Sequence, residues 1–153
     1  MTYVTAEARQ ELLDEIARAI DELGVALSAL GDAYEQLDER SADTLEEELF
    51  RPVQAAYGQA KRAHAAFASR HSLAVRTFAP APPAGAASHG VKGFLESAVE
   101  AVEESDALLS ELQDSLLPVE VGDQELRAGL AETRRTLGEI APRAAHFVSR
   151  FGR

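Results

Sequence analysis

The first forty residues carry apolar side chains at alternating steps of three and four. The positions on this line are Leu13, Ile16, Ile20, Leu23, Leu27, Leu30, Tyr34 and Leu37. A second line, at steps of seven, contains Leu12, Ala19, Ala26 and Ala33. Such spacing is typical of one buried face of an α-helix. Because the two lines together occupy three positions in seven, they predict a helix of a bundle rather than of a two-stranded coiled coil.

Three further segments repeat this spacing, so the chain contains four predicted helices. They span about residues 6–39, 45–71, 91–117 and 124–151. Thr44 and Glu47 form a capping-box pattern at the start of the second helix. Pro52 predicts a kink or a break inside that helix, and Pro142 predicts a bend in the fourth. The sequence therefore predicts an all-α fold, an antiparallel four-helix bundle that forms a single domain over residues 1–153.

A stretch rich in proline and alanine separates the second and third predicted helices. Residues 72–90 break the helical spacing, and residues 78–87 contain no charged side chain. Such a composition is typical of an extended or flexible linker. Leu73, Val75 and Phe78 precede most of the prolines and are apolar enough to fold back onto the end of the bundle. The chain thus predicts a long, flexible connection between helices 2 and 3.

Charge is distributed unevenly among the four predicted helices. Residues 1–40 and 94–118 each carry a net charge of −7, whereas residues 52–71 carry three cations and no acid. Residues 119–153 have a net charge of +1. In an up-down-up-down bundle the acidic first and third helices lie diagonally across the core, and every neighbouring pair is complementary in charge. In a bundle with a long crossover those two helices are neighbours and repel, so the charge pattern favours the up-down-up-down arrangement.

The composition argues against several classes of function. The chain of 153 residues has no cysteine, so it holds neither disulfides nor thiolate metal sites. Its formal net charge of −11 disfavours non-specific binding to nucleic acid or to anionic lipid. No secretory signal is visible at the amino terminus, and no apolar segment approaches the roughly 20 residues that span a bilayer. We therefore expect a cytoplasmic protein without a membrane or nucleic-acid partner.

Histidines and carboxylates do not form a recognisable metal or catalytic pattern. Di-iron bundles place a glutamate three residues before an inward-facing histidine. Here the residues that stand three positions before the helical histidines are Lys61, Ala68 and Arg143. No nucleophile stands beside a plausible base, and a Gly-x-Ser-x-Gly motif is absent. The sequence thus predicts a protein that is not an enzyme and needs neither a metal nor a cofactor.

Large side chains, most of them with polar tips, recur at steps of seven along the second helix. They are Phe50, Tyr57, His64 and His71, and they run beside an apolar line made mostly of small residues. Such a row is compatible with two arrangements. The rings either line a cleft for a small ligand beside helix 2, or they fill the volume that the alanines leave and direct their polar tips to solvent.

Two groups of residues are candidates for binding an anion. Ser88, Gly90 and Lys92 lie at the start of the third helix, where free backbone N–H groups and the helix dipole favour negative charge; the alternative is an ordinary helix start after a flexible linker. Five arginines recur on the fourth helix, namely Arg127, Arg134, Arg135, Arg143 and Arg150. Either their stems cover the apolar line while their guanidinium groups pair with the acidic helices, or they form an anion site.

Two glycines interrupt the first helix at a spacing of seven. Gly24 and Gly31, with Ser28 between them, lie just outside the predicted buried line, and each glycine costs roughly 1 kcal/mol relative to alanine in a helix interior. They are either tolerated at solvent-facing positions, or they form a flat strip that a partner approaches closely. We therefore predict a protein that acts through contacts with a protein partner or with itself, as a homodimer. The alternative is a bundle that binds a small ligand in the cleft beside helix 2.

Overall fold

The computed structural model describes residues 2–80 and 90–151 of the chain. All regular secondary structure in these ranges is helical, so the all-α prediction is confirmed. The elements are α1 (Thr2–Glu35), α2 (Glu39–Leu45), a π-helical turn (Glu46–Phe50), α3 (Arg51–Arg70), α4 (Gly90–Asp114), α5 (Leu117–Glu120), α6 (Gln124–Gly138) and α7 (Ile140–Phe151). None of these described helices combines the length with the apolar character that crossing a membrane requires.

The apolar face predicted on α1 is buried in the structure. Its members from Leu13 to Leu30 are buried, as are all members of the second line at steps of seven. Tyr34 differs, since 41% of its surface is exposed near the end of the helix. Leu37 follows α1 and is partly buried against the core. The periodicity therefore predicted the buried face of α1 correctly up to its last turn.

The second helical segment begins at Glu39 rather than near residue 45. The carboxylate of Asp38 caps it by accepting a hydrogen bond from the N–H of Ser41 at 2.8 Å. The start predicted from the capping box is therefore wrong. The Thr44 hydroxyl instead donates to the carbonyl oxygen of Arg40 inside the helix, at 3.1 Å. Asp38, six residues before Thr44, therefore caps this helix in place of the predicted capping box.

A π-helical turn takes the place of the kink or break expected at Pro52. In this turn, Glu46–Phe50, the N–H of Arg51 donates to the carbonyl of Glu46, one residue further back than in an α-helix. Pro52 follows at the start of α3, where its missing N–H and its ring would disturb a regular α-helical hydrogen-bond ladder. Because the turn accommodates the proline, helical structure continues from Glu39 to Arg70.

The packing of the helices differs from the arrangement that the charges favoured. α1 packs most extensively against α4, and α3 packs most extensively against α6. α1 and α4 run in opposite directions, since Ala19 meets Ser105, whereas Leu30 and Leu95 share a small internal space. α1 and α4 are the first and third predicted helices. The up-down-up-down expectation, which put them on opposite sides of the core, is therefore wrong.

The charge argument failed because small buried side chains make the contact, while the charges lie nearer the surface. Ser105 is fully buried on α4, and its hydroxyl donates to the carbonyl oxygen of Ala19 at 2.8 Å. Repulsion between the acidic helices is felt at Glu22: burial raises the pKa of its carboxyl group, and the carboxylates of Glu104 and Asp21 raise it further. Exposed charge pairs contribute only ~0–1 kcal/mol each, so burial of apolar faces decides which helices meet.

Residues 72–80 leave the end of α3 without regular secondary structure. Ser72 adopts a left-handed backbone with φ 58°. The N–H of Leu73 donates to the carbonyl oxygen of Ala68 at 2.8 Å, a bond that spans the end of the helix as in a Schellman motif. This turn reverses the chain direction, and we call the segment of residues 72–80 the strap.

The strap runs back along the helices that precede it. Leu73 and Phe78 pack against the core, as expected of apolar residues before the prolines, whereas Val75 is exposed. The Phe78 ring reaches His64, more than a helical turn back from the end of α3. The rest of the predicted flexible linker, residues 81–89, lies outside the described residues. The part that is described is therefore docked at two of its three apolar positions.

The fourth helical segment is interrupted at Glu139 rather than at Pro142. α6 begins after Asp123, whose carboxylate accepts a hydrogen bond from the N–H of Leu126 at 2.8 Å. The predicted apolar line stays buried across the interruption, from Leu126 to Phe147. Pro142 lies in the first turn of α7, where a proline needs no partner for its missing N–H. The bend therefore comes just before the proline.

Core burial yields a first prediction, at the two mid-helix leucines Leu23 and Leu109. They are 0% and 1% exposed. Leu23→Ala or Leu109→Ala should lower the free energy of unfolding by ~2–5 kcal/mol, because each leaves a cavity in a packed core. Val25→Ala, two residues away on the exposed side of α1, is the matched control and should change it far less. Urea denaturation measures all three. Equal losses at Leu23 and Val25 would contradict the assigned buried face.

The contact between two acidic helices yields a second prediction. Glu104→Gln removes one of the carboxylates that act on Glu22, so it should raise the free energy of unfolding at neutral pH, by less than ~1 kcal/mol. Added salt screens exposed charges, so the gain should shrink as salt rises. Glu103→Gln removes the same charge from the neighbouring exposed position and is the matched control. An identical gain at Glu103 would show that only net charge matters.

Candidate functional site

A groove lies between the end of α1 and the π-helical turn. It has a volume of about 290 Å³ and is lined by Gly31, Tyr34, Glu35, Glu46 and Phe50. We call it the acidic groove. Glycine and tyrosine come from α1, while the helical turn brings Glu46 and Phe50, four residues apart, to the same side. Two aromatic rings and two carboxylates therefore border one open space.

Gly31 leaves room in the acidic groove. A β-carbon at this position would meet no atom within 4 Å among the described residues, so no contact there requires a glycine. The next residue, Asp32, has a buried Oδ2 atom without a hydrogen-bond partner in the described part of the chain. Asp32 is not one of the lining residues of the groove, and the negative charge beside this free space comes from Glu35 and Glu46.

The strip predicted on α1 is only partly at the surface. Gly24 is buried, Ser28 is half-buried, and Gly31 is half-buried and lines the acidic groove. Gly24 therefore belongs to the packing within the molecule, and Gly31 is the accessible glycine of the pair. That this strip forms an interface stays a prediction, which now applies to Gly31 and its neighbours in the groove.

A second groove lies between α3 and the strap. It has a volume of about 410 Å³, and its lining residues are Gly58, Lys61, Arg62, Ala65, Arg76, Thr77 and Phe78. We call it the basic groove. Three cations and no carboxylate line it, although the whole chain has a formal net charge of −11. Local charge here is therefore opposite to that of the molecule.

Arg76 connects the strap to α1. Its guanidinium lies 3.1 Å from the carboxylate of Asp21 and 4.7 Å from the centroid of the Phe78 ring. Both partners of the ion pair are about half exposed, so the pair itself stabilises the strap only weakly. Burial of Leu73 and Phe78 contributes the rest and positions the strap wall of the basic groove.

Lys61 and Arg62 keep their charges unpaired. The Nζ atom of Lys61 lies 4.3 Å from the centroid of the Tyr57 ring, a cation–π geometry that leaves the charge unneutralised. Neither Lys61 nor Arg62 forms an ion pair with another described residue. The basic groove therefore presents two cations that are available to an anionic partner.

The four rings predicted to line a cleft lie along α3 and the π-helical turn in different surroundings. Phe50 lines the acidic groove, Tyr57 and His64 are buried, and His71 is half-buried at the end of α3. The strap covers His64, whose ring meets the ring of Phe78 edge-on at 5.2 Å. The chain itself thus occupies the cleft beside His64. Whether a ligand binds along this row stays a prediction.

His64 is a buried histidine with one bonded nitrogen. Its side chain is 3% exposed, and its Nε2–H donates to the carbonyl oxygen of Leu13 at 3.1 Å. Burial lowers the pKa of His64 below its ordinary value, and the bond to Leu13 opposes that shift in part. Arg76 lowers this pKa further, whereas Asp14 raises it. The Nδ1 atom has no hydrogen-bond partner among the described residues.

Tyr57 carries a second buried polar atom, two helical turns from His64. It is 5% exposed, and its hydroxyl has no hydrogen-bond partner among the described residues. Burial raises the pKa of Tyr57, and the carboxylate of Asp21 raises it further. A buried polar group without a partner costs ~1–3 kcal/mol. The row on α3 therefore has hydrogen-bonding capacity that the described residues leave unused.

His71 belongs to an ion-pair cluster that ties α3 to α6. Arg70 donates two hydrogen bonds to Asp123, each of 2.8 Å, and His71 Nε2 lies 3.1 Å from the same carboxylate. Arg70 also lies 3.0 Å from Glu125. The Arg70 guanidinium holds the pKa of Asp123 well below its usual range. This cluster has the structural task of joining two helix ends.

The predicted anion site at the start of α4 is described only in part. Ser88 lies outside the described residues. Gly90 has a left-handed backbone with φ 64°, which favours glycine, and Lys92 is exposed. Anion binding at this helix end stays a prediction.

The five arginines of the fourth segment have separate partners. Arg134 lies against α4, where it donates to Asp106 and Gln113, each at 2.8 Å. The others have these partners: the carbonyl of Pro118 for Arg127, Glu132 for Arg135, Glu139 for Arg143, and Glu48 for Arg150. Pairing with an acidic helix thus holds for Arg134, while the other four bond near α6 and α7 or to the π-helical turn.

No group of three or more histidine, aspartate or glutamate side chains suited to a metal ion occurs within residues 2–80 and 90–151. No protein-family model matches the chain, and neither a curated protein nor a solved structure does. The two grooves are therefore the features of the molecule that bear on its function.

Several groove residues were not singled out by the sequence pattern. Glu35 and Glu46 belong to acidic runs that look like ordinary solvated surface. Arg76 stands in the predicted linker, where no structure was expected. One signal was present for the basic groove: residues 51–80 contain five cations and no carboxylate. Only the folded chain shows that two of these cations, with Arg76, converge on one groove.

The buried histidine yields a third prediction, on pH dependence. The folded-state pKa of His64 lies below its ordinary value of 6.5, so the unfolded chain takes up a proton first as the pH falls. Stability should therefore decrease as the pH falls through 6.5, by up to ~1.4 kcal/mol between pH 7.5 and pH 5.5. His64→Gln keeps a donor for Leu13 but does not titrate.

Urea denaturation of both proteins at pH 7.5 and pH 5.5 measures this effect. The wild type should lose more stability on acidification than His64→Gln. Because every other titrating group is shared, the difference between the two proteins isolates the histidine. Equal losses would mean that His64 is protonated as readily in the folded chain as in the unfolded one.

Proposed function

We propose that this chain is a non-enzymatic four-helix-bundle protein that acts through contacts with a protein partner, a second copy of itself included. The observation that carries the proposal is the acidic groove, where Tyr34 and Phe50 border an open space beside two carboxylates. Aromatic residues are enriched at the centres of protein interfaces. Tyr34 is also one of the few large apolar side chains that α1 leaves exposed.

In this proposal the helical segments form an antiparallel bundle with a long crossover between α3 and α4. The contacts of α1 with α4, of α4 with α6 and α7, of α6 with α3 and of α3 with α1 close a ring around a shared core. A connection that leaves α3 must then cross to the far side of the ring to reach α4, as in bundles with a long crossover. The strap supplies the first part of that path.

Native mass spectrometry of freshly purified protein tests the proposal. We expect a complex of defined protein stoichiometry, and we expect Tyr34→Ala to weaken it because the exposed ring is lost from the groove. Val119→Ala, which removes another exposed apolar side chain far from the groove in sequence, is the matched control. A chain that remains monomeric and carries a bound small molecule would contradict the proposal.

A bundle that binds a small ligand beside α3 is the second candidate. The observation that favours it is the pair of buried polar atoms without partners, the Tyr57 hydroxyl and His64 Nδ1. A small polar molecule that displaced the strap from His64 would offer partners to these atoms, between the rings and alanines of α3. In the same mass spectra, a retained molecule that is lost in Tyr57→Phe would favour this function over protein contact.

The accessible glycine yields a fourth prediction. Gly31→Gln should raise helix stability by roughly 0.5–1 kcal/mol, since glycine is a poor helix former, and should weaken assembly by filling the acidic groove. Gly138→Gln is the matched control, because a β-carbon there also meets nothing within 4 Å. It should leave assembly unchanged. Circular dichroism measures helicity, and sedimentation equilibrium measures assembly. If the wild type and Gly31→Gln assemble equally well, the acidic groove is not part of the interface.

A further inference from the structure

We propose that two copies of this chain associate through the α3 face, with the acidic groove of each copy on the basic groove of the other. This inference rests on the proposed function and names the partner as a second copy. Four charged side chains carry it: Glu35 and Glu46 in the acidic groove, and Lys61 and Arg62 in the basic groove. Arg76, the third cation of the basic groove, is already paired with Asp21.

Both grooves lie along one stripe of the same helix. Phe50 borders the acidic groove, and Gly58, Lys61 and Ala65 border the basic groove. Counted through Gln54, these residues follow one another at steps of three and four, so they share one side of α3. From Phe50 to Ala65 the stripe is about 22 Å long at 1.5 Å per residue. One face of the molecule thus carries opposite charges at two separated points.

Four charges that border the two grooves are unpaired within the described part of the chain. Glu35, Glu46, Lys61 and Arg62 form no ion pair there. By contrast, Arg70, Arg76 and Arg134 all have carboxylate partners. Lys61 and Arg62 are thus two adjacent cations that border one groove without an ion pair, in a chain whose acids outnumber its bases 26 to 15. A second copy supplies the missing partners.

A two-fold axis through the stripe gives both grooves of each copy an oppositely charged partner at the same time. In an isologous dimer each patch meets its counterpart in reverse order, so the acidic groove of one copy lies over the basic groove of the other, twice. Tyr34 and Phe50 then contribute apolar contact beside the charges. Complementary charges of this kind fix the register of an interface.

The outer face of α4 is less suited to self-association. The outer face of α4 carries a shallow groove lined by Gly93, Glu96, Ser97, Val99 and Glu100. Its charges are negative only, so a second copy would be repelled there. Because each chain has a formal net charge of −11, association needs a face where opposite charges meet. The α3 stripe meets that condition.

The test, which is the fifth prediction, uses two charge-reversed variants and their mixture. The first variant is Lys61→Glu with Arg62→Glu, and the second is Glu35→Lys with Glu46→Lys. Each variant alone places like charges at both contacts, so its dimer should dissociate with a Kd at least roughly tenfold above that of the wild type. In a one-to-one mixture both contacts are complementary again, and a heterodimer should form with wild-type affinity.

Sedimentation equilibrium with one variant carrying a fluorescent label measures the mixture. Glu96→Lys with Glu100→Lys makes the same charge change as the second variant, but on α4, and should leave the dimer intact. Circular dichroism checks that each variant is folded. Two single substitutions, Arg62→Glu in one chain and Glu46→Lys in the other, provide a second pair of variants with a smaller charge change. Recovery in the mixture supports the inference, because a merely unstable variant is not rescued by another.

Three results would overturn the inference. They are a wild type that stays monomeric at high concentration, variants that dimerise as well as the wild type, and variants that fail to recover when mixed. A dimer whose Kd is unchanged by these substitutions would use another face for self-association, and the proposed function would still stand. A monomeric wild type that retains a different protein in native mass spectra would likewise overturn only this inference.

Discussion

The close approach of α1 to α4 is the contact on which the rest of the fold depends. Small residues at the contact allow it, and the buried hydroxyl of Ser105 bonds the backbone of α1 at Ala19. With this side of α1 covered, α3 takes the neighbouring side, where His64 bonds Leu13 in the same way. Both contacts use a buried polar side chain that donates to a carbonyl oxygen of α1. The position of α3, and with it both grooves, follows from this central helix.

That arrangement brings together the two most acidic stretches of the chain, and the energies explain why. Full burial of a leucine or isoleucine side chain contributes about 1.5–3 kcal/mol, and α1 buries many of them. An exposed pair of like charges opposes folding by less than ~1 kcal/mol. The raised pKa of Glu22 shows that the repulsion exists. The interactions between surface charges are therefore too weak to determine which helices pack against α1. The same charges can still determine which molecules bind to the surface.

The sequence was informative where the relevant interactions are local. The periodicity gave the four helical segments and their buried faces, since those depend on residues three and four apart. The periodicity did not predict which helices pack against each other, because helices with similar apolar faces can be arranged around a core in more than one order. The π-helical turn was missed for a related reason: Pro52 shows that a regular ladder fails, but not how the chain accommodates it. The start of the second segment was missed because Asp38, which the prediction placed inside the first helix, caps the second one.

The grooves show the same division between local and distant information. Gly31 and Phe50 were each singled out from sequence, as an interface glycine and as a ligand-lining ring, yet nothing local joins them. They border one space only because α1 and α3 are paired in one register, which the bond between Leu13 and His64 helps to set. Likewise Arg76 reaches the basic groove only because the strap doubles back over α3. The helix pairing that the core determines thus places the acidic groove near the start of α3 and the basic groove further along it. The charges of Glu35, Glu46, Lys61 and Arg62 remain without an ion pair among the described residues.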